Sequence, residues 1–324
     1  MPPRYLDPTA DPIIRLRPIG GQEKSVHIID QASIHAVNAA LATGRPLLVR
    51  GEPGTGKSQL ARAVARKLGR AFLPHVVDGR TETRDLLYTI DHVSRLAQAQ
   101  VSSLAPDKEA ARAEVALHNF VQPGPLWWAF DWKSAHAQAK GAGVRAEALH
   151  PVDAAKNGCV VLIDEIDKAD TAVPNGLLEA LGHGRFSAPW GDTVSMNRDP
   201  APLILLTTNE ERVLPDAFIR RAIVLHLALE SKDMPLRDKL IRHGHAHIEE
   251  HIPSCYPGLL GEAADMLIDD RRACQERGIS APGLAEYIDL LWAVIKQRPT
   301  PDGQKELLAL TREFTFRKHR EEQP

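Results

Sequence analysis

Eight residues, Gly51-Glu52-Pro53-Gly54-Thr55-Gly56-Lys57-Ser58, constrain the fold of this chain more than any other stretch. Pro46-Leu47-Leu48-Val49 reads as a short buried strand running into them, and apolar Leu60, Ala61, Val64, Ala65 and Leu68 continue them as an amphipathic helix that stops at Gly69. Strand, glycine loop, lysine, hydroxyl and helix in that order make the Walker A arrangement. The glycines let backbone amides turn inward around phosphate oxygens, and the helix behind adds the positive end of its dipole. Lys57 is expected to neutralise the β and γ oxygens of ATP, and Ser58 to offer a hydroxyl to Mg2+. Arg66, Lys67 and Arg70 suit the negative end of the same helix.

Two further apolar runs end in polar groups. Cys159-Val160-Val161-Leu162-Ile163 runs into Asp164-Glu165, and in a parallel α/β sheet a ligand sits beyond the carboxyl ends of the strands. Asp164 is expected to hold Mg2+ through its water shell and Glu165 to orient and polarise the attacking water. Asp167 reads as a helix-capping or interface residue. Leu203-Ile204-Leu205-Leu206-Thr207-Thr208 ends at Asn209, whose amide can hold a water near Glu165 without changing its charge, the sensor 1 role. Leu214-Pro215-Asp216-Ala217-Phe218-Ile219 then leads to Arg220-Arg221 ahead of another apolar strand. Buried unpaired, two guanidiniums would be costly, so they must meet carboxylates, carbonyls or a phosphate. The favoured reading makes Arg221 a finger for a neighbouring subunit's γ phosphate, with Arg220 in support; helix-dipole pairing or a subunit salt bridge is the structural alternative.

The rest of the chain places these motifs. Apolar runs at 71–77, 159–163, 203–206 and 223–229, separated by helical patterns, imply a parallel sheet with helices on both faces. The stretch from about 79 to 156 is too long for a simple crossover and reads as an insertion with two helix-like segments. Residues 1–27, with Pro2, Pro3, Pro8, Pro12 and Pro18, read as an extended arm. From 231 onward, 236–250, 259–277 and 283–297 show helical periodicity without a strand, which predicts an all-helical domain over 231–324 beside an α/β core over 28–230.

With 40 Lys+Arg against 42 Asp+Glu in 324 residues there is no global bias toward nucleic acid or an anionic membrane. Three widely spaced cysteines, Cys159, Cys255 and Cys274, argue against a disulfide framework, and no stretch approaches a membrane span; both point to a cytoplasmic protein.

Taken together, GEPGTGKS, VVLIDEID, LLTTN and LPDAFIRR, in that order and at those separations, resemble an AAA+ ATPase and specifically its MoxR-like branch. Gly124-Pro125-Leu126 and the Pro174-Asn175 and Leu177-Leu178-Glu179-Ala180-Leu181 segments resemble that branch as well. The resemblance spans roughly residues 28–230. It implies a sheet of order 5-1-4-3-2, a helical lid, a hexameric or similar ring, and often a partner bearing a von Willebrand factor A domain. One departure stands out: where the branch commonly carries a sensor 2 arginine, Ser280-Ala281-Pro282-Gly283-Leu284 offers glycine, leaving Arg271 or Arg272 as substitute cations or no sensor at all.

Two further groups of residues invite a reading as sites. His243, His245, His247 and His251 read as a solvated face in preference to a metal site. Trp127, Trp128, Phe130 and Trp132 read as anchors of the insertion in preference to a polypeptide grip. The leading expectation is an ATP-hydrolysing, chaperone-like remodelling motor acting on a protein client, with a DNA-directed motor or loader, or a slowly hydrolysing nucleotide-dependent scaffold, as alternatives.

Overall fold

The structure, a computed structural model, describes residues 4–18, 25–104, 106–143, 154–230 and 234–316. The chain divides into two compact units, one of Met1–Ala10, Asp30–Arg50 and Leu60–Leu225, the other of Asp11–Ile29, Gly51–Gln59 and His226–Pro324.

The first unit is built on five strands: β1 (Leu47–Arg50), β2 (Ala71–Val76), β3 (Cys159–Asp164), β4 (Leu203–Thr208) and β5 (Ile223–His226). Their order is β5-β1-β4-β3-β2, the 5-1-4-3-2 arrangement that the resemblance implied. β1, β4, β3 and β2 pair in parallel, with Arg50 opposite Thr208, Ile163 opposite Leu206 and Asp164 opposite Val76, so their carboxyl ends share one edge. Every residue of β4 is buried, as is β3 up to Ile163, because both sheet faces are covered. Among the covering helices, α1 (Gln31–Thr43) starts where Asp30 accepts from the Ser33 amide at 2.7 Å and stops at left-handed Gly44. The next, α2 (Lys57–Leu68), buries Leu60, Ala61, Val64 and Leu68 completely and ends at Gly69, as its periodicity predicts.

Between β2 and β3 lies more structure than two helices. A hairpin of Tyr88–Ile90 with Val121–Pro123 carries α4 (His92–Ser103) and α5 (Lys108–Glu114), preceded by α3 (Thr83–Leu87) and followed by α6 (Pro125–Phe130) and α7 (Trp132–Gly141). Trp127, Trp128 and Phe130 on α6 are buried in the same core as β3, and Trp127 packs edge-on to Phe186 at 5.6 Å. They anchor the insertion, as expected. After β3 come α8 (Ala172–His183) and, between β4 and β5, the short α9 (Asp216–Ile219).

The second unit joins an antiparallel hairpin, Ile13–Leu16 with Ser25–Ile28, to a helical bundle. Of the proline-bearing arm, Ile13–Leu16 and Ser25–Ile28 form strands while residues 7–10 form a turn, and residues 1–3 and 19–24, with Pro2 and Pro3, lie outside the described residues. Three helices match the periodicity: α10 (Leu236–Ile248), α11 (Leu259–Glu276) and α12 (Leu284–Gln297). A fourth, α13 (Pro301–Thr315), was not predicted; Arg312 on it clamps Asp270 of α11 with two hydrogen bonds of 2.7 Å. The bundle closes over Leu240, Leu267, Tyr287, Leu290 and Leu291, all fully buried.

The histidine face is not solvated. His243 is only 8% exposed, and His247 is largely buried beside the backbone of Val26 in the hairpin; only His245 of the helical three faces solvent. The hairpin packs on α10 and covers the face that composition alone reads as solvated. Among the described residues no group of three or more His, Cys, Asp or Glu side chains is arranged to hold a metal ion, and no helix is long and apolar enough to cross a membrane.

Candidate active site

The carboxyl edge of the sheet gathers the predicted polar strand ends. β3 hands over to Glu165, whose backbone is left-handed at φ 60° and ψ 47°. β4 hands over to Asn209 and then Glu210, left-handed at φ 63°. Among the described residues these two glutamates alone, outside glycine, take a positive φ. Such backbone costs a non-glycine residue roughly 1–2 kcal/mol and persists where surrounding contacts hold it, typically at functional sites.

The contacts are specific. Thr207, wholly buried in β4, accepts from the Glu165 amide at 2.9 Å and donates its hydroxyl proton to Asp164 Oδ1. One side chain therefore fixes both acidic residues. Asn209 Nδ2 donates to Glu165 Oε1 at 3.4 Å, and Lys168 Nζ donates to Oε2 at 2.7 Å. The Glu165 bond raises the proton affinity of the Lys168 ammonium. Thr208 accepts from the Glu210 amide at 2.9 Å, closing a three-residue turn with Asn209 at its centre. Asp167 is neither a cap nor exposed: it is 3% exposed and accepts from the Glu211 amide at 3.0 Å, tying the turn after β3 to the loop after β4. Edge carboxylates, a bridging hydroxyl and an amide can together position and deprotonate a water.

The glycine loop is described within the second unit. Gly54 and Gly56 are left-handed, at φ 75° and 90°, and a Cβ on Gly51 would lie 2.3 Å from the Leu227 carbonyl oxygen, so only glycine fits there. Lys57, 7% exposed, donates to the carbonyls of Gly51 and Glu52 at 2.7 and 2.8 Å, and Thr55 donates to the Glu52 carbonyl at 2.9 Å. The loop is thus a preformed curl around a buried ammonium, a donor set that fits a polyphosphate. The strand that runs into it, β1, ends at Arg50, opposite Thr208 of β4.

Of the two cations weighed for the sensor 2 position, Arg272 is exposed and Arg271 is not. Arg271, 3% exposed, donates to the Pro282 carbonyl at 2.8 Å and to Glu52 Oε2 at 3.0 Å, with Glu230 at 3.7 Å. It meets the loop through a side chain of the loop itself. Gly283 lies so close that a Cβ would be 3.0 Å from the Pro53 carbonyl oxygen, which leaves no room for an arginine without moving the loop.

Arg220 and Arg221 follow α9, both exposed, and no carboxylate among the described residues pairs with either. Sequence reasoning missed Thr207, Lys168, Glu210 and Arg50, the last placed 2.7 Å from Glu210. Two hydroxyls, Thr207 and Thr208, inside an otherwise apolar buried strand were the one signal available.

In solved structures, a crystal structure of a candidate ATPase from Cytophaga hutchinsonii aligns over 85% of this chain and 78% of that one, at 15% sequence identity and a TM-score of 0.39. The family model described as AAA domain (dynein-related subfamily) matches residues 46–222, which run from the strand before the glycine loop to the paired arginines. With more than half of its length so matched, this chain belongs to the AAA domain family, dynein-related subfamily, of AAA+ ATPases.

Proposed function

We propose that this chain is a Mg2+-dependent ATPase of the MoxR-like kind, working as a ring, hexameric by family resemblance, that remodels a protein client. The observation that carries the reading is Glu165: a strained left-handed carboxylate at the end of β3, held by Thr207 through its amide and met by Asn209 at 3.4 Å. Its cost in backbone energy is understandable if its task is to take a proton from the water that attacks the γ phosphate. Asn209 orients that water. Lys57 and the amides of Gly51, Glu52, Pro53, Gly54, Thr55 and Gly56 hold the phosphates, and Ser58 and Asp164 supply oxygens for Mg2+, Asp164 through water. Mg2+, when bound, offsets phosphate charge.

Arg221, exposed and without an acidic partner in its own chain among the described residues, is proposed as the finger for a neighbour's site, with Arg220 beside it. A heterologous, head-to-tail ring follows from that role. The client is proposed to be a protein, in some cases through a partner bearing a von Willebrand factor A domain. Balanced charge, 40 basic against 42 acidic side chains, disfavours nucleic acid. Free Cys159, Cys255 and Cys274 support a reducing, cytoplasmic setting.

Subunit mixing tests the reading. Glu165→Gln and Arg221→Ala proteins should each be nearly inactive, yet mixed rings should regain ATPase activity, because an Arg221→Ala subunit can use its own Glu165 with a neighbour's Arg221. Random equal mixing restores roughly a quarter of interfaces at most. No recovery, with exchange confirmed by labelled subunits, rejects independently firing shared sites.

A further inference from the structure

The turn after β4 contains a second strained glutamate that the hydrolysis scheme leaves unused. Glu210 is left-handed, where glycine would sit without steric cost, and it is solvent-facing, so packing does not demand a large residue there. What its side chain reaches is Arg50: Nε and Oε1 lie 2.7 Å apart, with the N–H off the line to the oxygen, so the contact is one of charge more than of an aligned hydrogen bond. The arginine's side chain is 25% exposed and the glutamate's 44%. Arg50 is the last residue of β1 and the residue before Gly51; it stands opposite Thr208, two positions ahead of Glu210, on the neighbouring strand. The pair therefore spans from the root of the phosphate loop to the far side of Asn209, and Thr208 closes the near side through the Glu210 amide at 2.9 Å.

We infer that Glu210 is a positioning residue for Asn209, and that Glu210 with Arg50 forms a strut setting how far Asn209 stands from the strand that leads into the phosphate loop. The inference rests on the reading of Asn209 as the water-orienting amide. A clasp on one side lets the Asn209 amide swing; a clasp on both sides fixes it. Because displacement of an orienting group by about 1 Å is enough to cost up to roughly a hundredfold in rate, a modest charge contact placed here acts on turnover far more than on folding. Even so held, Asn209 contacts Glu165 only weakly, at 3.4 Å, which is the geometry a small shift would break.

Glycine separates this role from a structural one. Glu210→Gly relieves the backbone and removes the strut, so the thermal midpoint should stay level or rise while kcat falls roughly tenfold and the affinity for ATP stays within about twofold. Glu210→Gln and Arg50→Met should each lower kcat, and the double variant should lose no more than the worse single, since both remove one contact. The whole chain is assayed for ATP turnover, nucleotide binding by titration, and unfolding by heat, with Glu165→Gln run alongside. Wild-type turnover in Glu210→Gly beside an inactive Glu165→Gln overturns the strut alone. Loss of thermal stability and ATP affinity together in Glu210→Gln overturns it too, in favour of a structural role. Full turnover in Glu165→Gln overturns the hydrolysis scheme and the strut with it.

Discussion

The carboxyl edge of the sheet and the histidine face of the helical unit bury polar groups in opposite ways. At the edge, Thr207 bonds to Glu165 and Asp164 at once, Thr208 to Glu210, and Asp167 to Glu211, while two glutamates carry left-handed backbone. In the helical unit, His243 is buried with Nδ1 lacking a partner, and burial pushes it down to about 3, with His247 also lowered by burial. The acidic residues at the edge are fixed by partners in a demanding geometry; the buried histidines of the bundle are tolerated by being kept neutral. The first pattern suits chemistry, where position decides rate. The second suits packing, where protonation decides stability.

The comparison breaks most visibly if edge residues turn out to govern folding. The largest effect expected is at Arg221, outside both cores: Arg221→Ala should lower steady-state ATP turnover by roughly three orders of magnitude with an unchanged thermal midpoint. Normal turnover there, with loss in Arg220→Ala, would move the finger by one residue. Next comes Thr207→Val, which keeps shape but removes the bridging hydroxyl. It leaves the Glu165 amide unpaired at a cost of about 1–3 kcal/mol in stability, and it should lower kcat by roughly ten- to a hundredfold while ATP affinity holds. A loss of stability without loss of kcat would make Thr207 a packing residue like any other in β4.

The smallest effect should appear in the bundle and in pH. His243 is neutral when folded, but its ordinary value is 6.5, so between about 6.5 and about 3 the unfolded chain takes up a proton that the folded chain refuses. Stability should therefore fall as pH drops below 6.5, by at most about 1.4 kcal/mol per pH unit for His243, with His247 adding in the same direction. Denaturant titrations from pH 7 to 5 measure it, and His243→Leu should flatten the slope. An equal slope in that variant would mean the buried ring is not what senses the proton.

Much of the sheet was legible because buried parallel strands are apolar runs, and because each run of β1, β3 and β4 ends where the polar residues begin. The glycine loop was legible because its chemistry is local. What escaped notice was made by neighbours distant in sequence. Arg50 and Glu210 meet because β1 and β4 are adjacent, which no periodicity reports. The histidine face is buried by a hairpin some two hundred residues earlier in the chain, and histidine carries no burial signal of its own. Helix α13 hid behind Thr300-Pro301-Asp302-Gly303, which reads as a turn although proline suits the first turn of a helix.

If Glu165 does chemistry and the glycine loop does binding, ATP affinity and turnover must separate in Glu165→Gln. Glu165→Gln removes the base and leaves the loop untouched, so ATP affinity by titration should match that of the wild type while turnover falls by at least about a hundredfold. Lys57→Ala, measured beside it, should lose tight ATP binding outright. Turnover by Glu165→Gln equal to that of the wild type, at equal ATP occupancy, would contradict the account at its root.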